Sequence, residues 1–363
     1  MMTTMRSQRL RIAILGCGYA ARIHARALRR LPDVELTFAS RDPARAAQYC
    51  KRYRGVASWG SYSDAVTDPQ TAIVLVATPT FSHLELTLMA LAASRHVVVE
   101  KPAFSTSGDF DVVRRAAAAT GRLVCVAENY VYKPFTQKLR RHVERGDLGD
   151  VRFVLLNATR RQPAVGWRAK PELSGGGALF EAGVHWIAFA ARIGLELTHV
   201  SGLRAGDDSG ADLSSLTVFR YANGAVGSLA HSWELAAPLG GARLSTVQGT
   251  LGAVTFESNG ALSVTSGRAA SLCTHFRDTL GYVRMHEDFI NAIRSGVCPY
   301  YTLEMAQQDF IWLEAAQQGV TAHESGVSVT DPPAHGSRHV SRAMLWRERG
   351  ALDALHVAPV SGE

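Results

Sequence analysis

A glycine-rich turn between a short apolar strand and a helix is the feature that most restricts the fold of this 363-residue chain. Residues 11–15 form the apolar run, and Gly16-x-Gly18-x-x-Ala21 follows it and opens a helix predicted over about 19–30. Gly16 permits the tight turn, Gly18 lets the backbone approach a pyrophosphate, and the small Ala21 allows close packing of helix on sheet. The pattern predicts a dinucleotide-binding βαβ unit, with a glycine turn that binds another ligand as the alternative.

Short apolar runs alternate with helical patterns through the first third of the chain. Asp42 followed by Pro43 is a strong helix start, because Asp caps the first turn and proline fits the first helical position. Such alternation predicts an α/β architecture whose N-terminal Rossmann domain is a doubly wound parallel sheet. The predicted strands are residues 11–15, 34–39, 56–58, 72–77, 97–99 and 123–127.

The pattern changes at about residue 151, where longer β-type segments replace the alternation. They span residues 151–158, 213–233, 243–247 and 253–257, and Asn223-Gly224 divides the second into the arms of a tight hairpin. We expect a C-terminal α+β domain with a large, mostly antiparallel open sheet. The predicted domains are residues 1–130 and 131–325, followed by a C-terminal extension over 326–363.

Composition restricts the function classes. Hydrophobic and charged fractions of 47% and 20% are ordinary for a soluble globular protein. The net charge is +7, but lysine and arginine are scattered, so we expect no nucleic-acid partner. No run approaches the about eighteen apolar residues of a spanning helix, so we expect no membrane partner. Five widely spaced cysteines without a Cys-x-x-Cys pair fit neither a disulfide framework nor a zinc site and favour a cytoplasmic location.

Glu100-Lys101-Pro102 directly follows the apolar run 97–99. Open α/β sheets bind ligands outside the carboxyl ends of their strands, so this lysine is expected at the cofactor cleft. A partly desolvated amine there can exchange a proton with a substrate near neutral pH. The tripeptide indicates proton transfer coupled to hydride transfer. His83, soon after the fourth strand, is expected near the same cleft or at an exposed helix start.

The residues after the second strand distinguish the two nicotinamide cofactors. An acidic side chain there would bind the ribose 2′-hydroxyl of NAD, whereas an arginine accommodates the 2′-phosphate of NADP. The strand ends in Ser40-Arg41, which favours NADP over NAD. Asp42, one position further, is accounted for as a helix cap, although it could also reach a ribose.

A second candidate group follows three glycines at 175–177. In a helix here, Glu181 and His185 would share a face, and the acid could orient the imidazole for proton transfer. An ordinary intrahelical pair is the alternative. Because a third ligand is missing, we expect no metal there.

Together these motifs resemble the glucose-fructose oxidoreductase / inositol dehydrogenase / rhizopine-catabolism (Gfo/Idh/MocA) family, over roughly residues 9–331. The resemblance implies a Rossmann domain joined to an α/β domain whose open sheet commonly serves oligomerisation, so we expect a homo-oligomer, either a dimer or a tetramer. It rests on the order and spacing of Gly16-Cys17-Gly18-Tyr19-Ala20-Ala21, Ala77-Thr78-Pro79 with His83, Glu100-Lys101-Pro102, and the glycine run leading to His185.

The resemblance implies NAD(P)-dependent oxidation or reduction of a hydroxyl or carbonyl on a sugar, sugar derivative or cyclitol. Lys101 would be the catalytic lysine and His185 the acid/base or substrate-binding histidine. The residues expected around the cofactor are Gly16, Gly18, Tyr19, Ala20, Ser40, Arg41, Thr78, Pro79, His83, Glu100, Lys101 and Asn129. Two alternatives remain: a hydrolase or lyase that uses a tightly bound nicotinamide for transient oxidation, and a nicotinamide-binding regulator without turnover.

One position departs from the family, which usually has aspartate where this chain has Glu181. The extra methylene moves the carboxylate by about an ångström, which alters proton-relay geometry, so Glu181 is a catalytic and substrate-binding candidate with a changed reach. Trp167 and Arg168, with Arg160 and Arg161, precede the glycine run. If they face the cleft, the tryptophan could stack on a sugar ring and the arginines would favour an anionic substrate. Solvated loop arginines are the alternative.

Overall fold

The computed structural model describes residues 9–163, 176–206, 212–236, 242–267, 270–275 and 277–321, with side chains up to residue 318. The predicted extension, 326–363, lies outside these residues. The helices are α1 Tyr19–Leu28, α2 Pro43–Tyr53, α3 Tyr62–Thr67, α4 His83–Ala92, α5 Ser107–Thr120, α6 Asn129–Tyr132, α7 Pro134–Glu144, α8 Val184–Ala190, α9 Tyr282–Ser295 and α10 Leu303–Thr321. The strands are β1 Leu10–Leu15, β2 Val34–Ala39, β3 Ala57–Trp59, β4 Thr71–Val76, β5 His96–Val99, β6 Val124–Val126, β7 Val151–Thr159, β8 Leu197–Arg204, β9 Ser214–Tyr221, β10 Val226–Ser232, β11 Leu244–Gly249, β12 Ala253–Glu257, β13 Leu262–Ser266 and β14 Ser271–Thr274.

The first sheet is parallel, as the alternation predicts, with strand order β3-β2-β1-β4-β5-β6. Its central strand β4 is apolar over residues 72–76 because helices cover both faces, and the side chains of residues 73–76 are buried. The strand order reverses between β1 and β4. The carboxyl ends of these two strands therefore form the crevice where such sheets bind ligands.

In the Rossmann half of the chain, the first residues of α2 and α5 are determined by side chains that cap these helices. Asp42 Oδ1 accepts hydrogen bonds from the backbone N–H groups of Ala44 and Arg45, so the predicted cap is confirmed. α5 begins at Ser107 because Thr106 and Asp109 form a reciprocal capping box.

The second sheet has the order β14-β13-β12-β11-β7-β10-β9-β8 and is antiparallel except for the β7–β10 pair. One face packs into the core, where Val154, Phe219 and Val247 are buried, and α10 lies against β8. The opposite face exposes a series of large apolar side chains, among them Phe153 and Leu155 on β7.

The hairpin predicted at Asn223-Gly224 is present between β9 and β10, but its loop has three residues rather than two. The Tyr221 N–H donates to the Ala225 carbonyl, and Gly224 at the end of the loop has φ +81°. A three-residue loop that ends in a left-handed residue is the next most common hairpin connection after the two-residue turns. The Asn223 side chain stabilises it by accepting from the Ala225 N–H at 3.1 Å.

Candidate functional site

A cavity of about 830 Å³ opens at the carboxyl ends of β1 and β4 and is lined by residues of both sheets. Its size lies in the range of small-molecule and cofactor sites. Every predicted cofactor residue except Asn129 lines it: Gly16, Gly18, Tyr19, Ala20, Ser40, Arg41, Thr78, Pro79, His83, Glu100 and Lys101. The predicted catalytic residues Lys101, Glu181 and His185 line it as well.

The glycine loop has the geometry that a pyrophosphate requires. Gly16 has φ +97°, and a Cβ at this position would lie 2.6 Å from the Ala77 carbonyl oxygen. A Cβ on Gly18 would meet no atom within 4 Å and would occupy the open space of the cavity. α1 starts here without a side-chain cap, so its first N–H groups are available to an anion. These residues fit the phosphates of a dinucleotide.

The mouth of the cavity beside β2 is basic. Ser40 is buried and its Oγ accepts from the Asp42 N–H, while the Asp42 carboxylate caps α2. Arg41 and Arg45 line the same region. A ligand bound there would meet two guanidinium groups beside a carboxylate that is already hydrogen-bonded.

His83 fixes the loop that carries the lysine. Its Nε2 lies 2.8 Å from the Thr78 carbonyl and its Nδ1 lies 3.0 Å from the Pro102 carbonyl, after the cis Lys101–Pro102 peptide. The ring is 1% exposed, so His83 is not a surface residue at a helix start. Burial lowers its pKa below the ordinary value, although the carbonyl contacts oppose this shift.

Lys101 reaches across the cavity to the segment that precedes α8. Its Nζ donates to the Glu181 carbonyl at 2.8 Å. That carbonyl belongs to a π-helical turn, Leu179–Gly183, rather than to the α-helical turn that the sequence predicts. Such turns are rare and recur at functional sites because their wider winding changes backbone pairing. Glu181 therefore holds the lysine through its backbone.

The carboxylate that binds the His185 ring is that of Glu128. Nδ1 of His185 lies 2.6 Å from Glu128 Oε1, so the predicted orientation of this ring by Glu181 is replaced by a contact from the end of β6. The ring stacks on Tyr130 with centroids 4.4 Å apart and planes 9° apart. Lys133 Nζ lies 3.2 Å from the centroid of the same tyrosine ring. The imidazole is fixed by the contact of Nδ1 with Glu128 and by the stacking of one face on Tyr130, and Nε2 is left to contact a ligand in the cavity.

Burial controls the protonation of this group. It raises the pKa of Glu128 to about 8, against the opposing effect of the Lys101 charge, and it lowers the pKa of Lys133 to about 7. It also lowers the pKa of His185 well below its ordinary value, with the charges of Lys101 and Lys133 acting in the same direction. At neutral pH the carboxyl group of Glu128 therefore carries its proton, and the imidazole of His185 is neutral.

A buried chain of hydrogen bonds lies behind Lys101. Glu100 Oε2 accepts from the Lys101 N–H, and Glu100 Oε1 lies 2.5 Å from His24 Nε2 on α1. His24 Nδ1 lies 2.8 Å from His286 Nε2 on α9. Burial alone would raise the pKa of Glu100, but the hydrogen bond with His24 and the nearby Lys101 charge lower it to about 2. Glu100 is a carboxylate that positions the backbone of Lys101.

Three predicted residues are not among the described residues that line the cavity. Asn129 is buried beside it, but its Nδ2 donates to the Leu280 carbonyl at 2.6 Å. Trp167 and Arg168 lie outside the described residues. The sequence analysis did not predict Glu128. It could have done so, because Glu128 follows a parallel strand and open α/β sheets bind ligands at the carboxyl ends of their strands.

The described residues contain no group of three or more His, Cys, Asp and Glu side chains arranged to bind a metal ion. Nor does any described helix combine the length and apolar character needed to cross a bilayer.

Comparison with known proteins agrees with the fold and the loop. Residues 10–128 match a model described as "Oxidoreductase family, NAD-binding Rossmann fold", and residues 136–255 match the Gfo/Idh/MocA C-terminal domain. D-glucoside 3-dehydrogenase of Escherichia coli (strain K12) is 31% identical over 191 residues, which are 52% of this chain and 54% of that protein. The chain thus spans about half of that relative's length.

Two further comparisons involve levoglucosan dehydrogenase. The Pseudarthrobacter phenanthrenivorans enzyme is 25% identical over 261 residues, covering 61% of this chain and 67% of the relative. The solved structure of a levoglucosan dehydrogenase in complex with NADH superposes with a TM-score of 0.78 at 20% identity, over 86% of this chain and 97% of the other. At that identity the superposition establishes the fold. With both family domains matched in order, the chain belongs to the Gfo/Idh/MocA oxidoreductase family.

Proposed function

We propose that the protein is an NAD(P)-dependent oxidoreductase that transfers a hydride between the nicotinamide and a hydroxyl or carbonyl carbon of a sugar, sugar derivative or cyclitol. The proposal rests on one observation: the Lys101 amine and the His185 imidazole lie in the same cavity as the glycine loop. The names of the relatives, D-glucoside 3-dehydrogenase and levoglucosan dehydrogenase, support the substrate class.

The side chains of this cavity supply the proton chemistry. A nicotinamide bound there supplies the hydride acceptor or donor. In oxidation, the substrate hydroxyl lies between Lys101 and His185, and one of these groups accepts its proton as the carbon loses hydride. In reduction, the same group returns the proton to the forming alkoxide. Glu128 and Tyr130 orient the imidazole, and the Glu181 carbonyl and Glu100 orient the lysine.

The experiment is a scan of sugars, sugar derivatives and cyclitols with NADP and with NAD, followed by nicotinamide absorbance. Net appearance of reduced cofactor together with an oxidised product supports the proposal. Product formation by bond cleavage without net reduction of the cofactor would favour the hydrolase or lyase alternative. Tight cofactor binding without turnover of any compound would favour a regulator.

We infer a preference for NADP from the β2 end of the cavity, and this preference can be measured directly. Wild type should bind NADP more tightly than NAD, because Arg41 beside Ser40 can pair with a 2′-phosphate. Arg41→Met should weaken NADP binding by about ten- to a hundredfold, the value of a charge-assisted hydrogen bond, and should change NAD binding little. Calorimetric titration of both cofactors checks this. Arg30→Met, an exposed arginine outside the cavity, is the matched control, and tighter binding of NAD by wild type contradicts the inference.

We also propose a homo-oligomer, a dimer or tetramer, formed through the exposed face of the eight-stranded sheet by a second copy of the chain. Phe153 on β7 pairs with Val226 on β10, and Leu216 on β9 pairs with Leu203 on β8; all four lie on that face, and each is at least 39% exposed. Exposed apolar faces of this kind mark interaction sites. A cytoplasmic location is proposed from the five free cysteines.

Phe153→Glu is expected to shift the sedimentation coefficient towards that of the monomer, because a buried unpaired carboxylate opposes association. Val112→Glu, at an exposed apolar residue of α5, is the control and should leave the assembly unchanged. A wild-type protein that sediments as a monomer at micromolar concentration would exclude this interface.

A further inference from the structure

The cavity wall that comes from the eight-stranded sheet carries a row of basic and imidazole side chains. His231 on β10 lies opposite Ala158 on β7. Leu155 pairs with Thr246, so extending this antiparallel register by three residues places Arg243 on the other side of Ala158. Neighbouring strands thus place His231 and Arg243 on either side of a small residue. Arg160, two positions after Ala158, has its backbone N–H on the Ser232 carbonyl. All four side chains of this row line the cavity: Ala158, Arg160, His231 and Arg243.

Two members of the row are buried and have polar atoms without a partner among the described residues. His231 is 3% exposed and its Nδ1 is unpaired; Arg243 is 7% exposed and its Nε is unpaired. Arg243 Nη2 donates to Asn259 Oδ1 at 3.0 Å, while the Glu257 carboxylate accepts from Asn259 instead. Keeping unpaired polar atoms in a buried cavity wall is costly, and polar side chains retained in such a wall are typical of a binding site.

The charge of this wall is positive. No described carboxylate lies within ion-pair distance of Arg160 or Arg243, and Lys101 adds a third cation to the same cavity. Burial and the charges of Arg160 and Arg243 lower the pKa of His231 to about 3. The imidazole is therefore neutral at physiological pH and can donate one N–H without adding repulsion.

We propose that Arg160, His231 and Arg243 form an anion subsite that binds a carboxylate or phosphate of the substrate while the reacting hydroxyl lies at Lys101 and His185. This assignment rests on the proposed function for the reacting end. Guanidinium groups bind planar or tetrahedral oxyanions through paired N–H donors, and the imidazole of His231, which lines the same cavity, adds a further N–H donor. The substrate class is then acidic sugars, such as uronates or sugar phosphates, in preference to the neutral parent sugars.

The test compares glucose, galactose and mannose with their uronates and their 6-phosphates. Calorimetry measures binding to the cofactor-loaded protein, and absorbance measures kcat/KM. The acidic form of at least one sugar should exceed its neutral parent in both. Arg160→Met should lower the ratio of kcat/KM for acid over neutral sugar about ten- to a hundredfold, mainly through KM. Whether uronate or 6-phosphate binds more tightly identifies which anion the subsite takes.

The neighbouring Arg161→Met is the matched control, because Arg161 is also exposed but does not line the cavity, and it should keep the wild-type ratio. Arg243 is buried, so Arg243→Lys, which keeps the charge, accompanies Arg243→Met. The lysine variant should retain more of the preference for acids than the methionine variant.

A third readout does not depend on turnover. Inorganic phosphate should shift the imidazole NMR signals of His231 in wild type and in Arg161→Met, but much less in Arg160→Met. If no sugar is turned over, the proposed function fails while these phosphate-dependent shifts still support the subsite. Equal kcat/KM for neutral and acidic sugars, or an absence of phosphate-dependent shifts in wild type, overturns the subsite.

Discussion

Replacing Lys101 by methionine is expected to lower kcat by about 10²- to 10⁴-fold while the affinity for the nicotinamide cofactor stays close to that of wild type. Methionine keeps most of the length of the side chain but removes the group that donates to the Glu181 carbonyl and faces the reacting hydroxyl. The glycine loop, which binds the phosphates, is unchanged. Stopped-flow turnover and fluorescence titration of the reduced cofactor separate the two effects.

Two further variants test whether Lys101 acts by transferring a proton or only through its positive charge. Lys101→Arg keeps a positive charge but cannot release a proton at neutral pH, so it should remain impaired if the amine transfers protons. Lys51→Met, at an exposed position on α2, should behave as wild type. If Lys101→Met retained turnover with intact cofactor binding, Lys101 would not be the catalytic residue.

The second large effect concerns Glu128 and the pH profile. Below pH about 8 the buried carboxyl is protonated and donates to His185 Nδ1, so the ring carries its proton on Nε2. The ring can give that proton to the forming alkoxide while Nδ1 takes the proton of Glu128. Above that pH the carboxylate accepts from Nδ1–H, and the Nε2 lone pair can accept a proton. Oxidation should therefore accelerate, and reduction slow down, as pH rises through about 8.

Glu128→Gln removes this titration. The variant should lose the transition near pH 8 in kcat/KM and should fall about 10²-fold in the oxidation direction, because the amide does not stabilise a protonated ring. Folding supplies an independent readout. The folded state binds the Glu128 proton more tightly than the unfolded state. As pH rises from the ordinary pKa of a glutamate to the folded-state pKa of about 8, the free energy of unfolding of wild type should therefore decline relative to that of the variant. Identical pH profiles for the two proteins would contradict the role of Glu128.

Local sequence patterns predicted the first half of the fold well, because each element there is specified by its own residues. The Asp42 cap and the glycine turn at Gly16 act within a few positions of the chain. Because parallel strands are buried on both faces, they are near-continuous apolar runs, and such runs can be recognised in the sequence without knowing which strands they pair with. The exposed outer strands β13 and β14 were not predicted, since their short polar segments pair only in the context of the whole sheet.

The motifs predicted which residues line the candidate site, but they did not predict the contacts between residues that are far apart in the chain. Lys101 and His185 lie where the motifs indicated, but the partner of His185 comes from a position 57 residues earlier in the chain. Glu181 and His185 both line the cavity, but the helix there winds as a π-turn, which the sequence does not signal, and the carboxylate in contact with the ring is that of Glu128. In the proposed anion subsite, His231 lies on β10 and Arg243 directly before β11, and only the strand register places them on either side of Ala158.

His24 on α1, the helix that follows the glycine loop, contacts His286 on α9, near the end of the described chain. It is fully buried between Glu100, His286 and the edge of the Tyr282 ring, whose centroid lies 5.1 Å away. A fragment that stops near residue 130 would leave His24 and the Glu100 carboxylate facing solvent on one side. The cofactor half is therefore not a separable module, and a chimaera that exchanges it between relatives must exchange α9 with it.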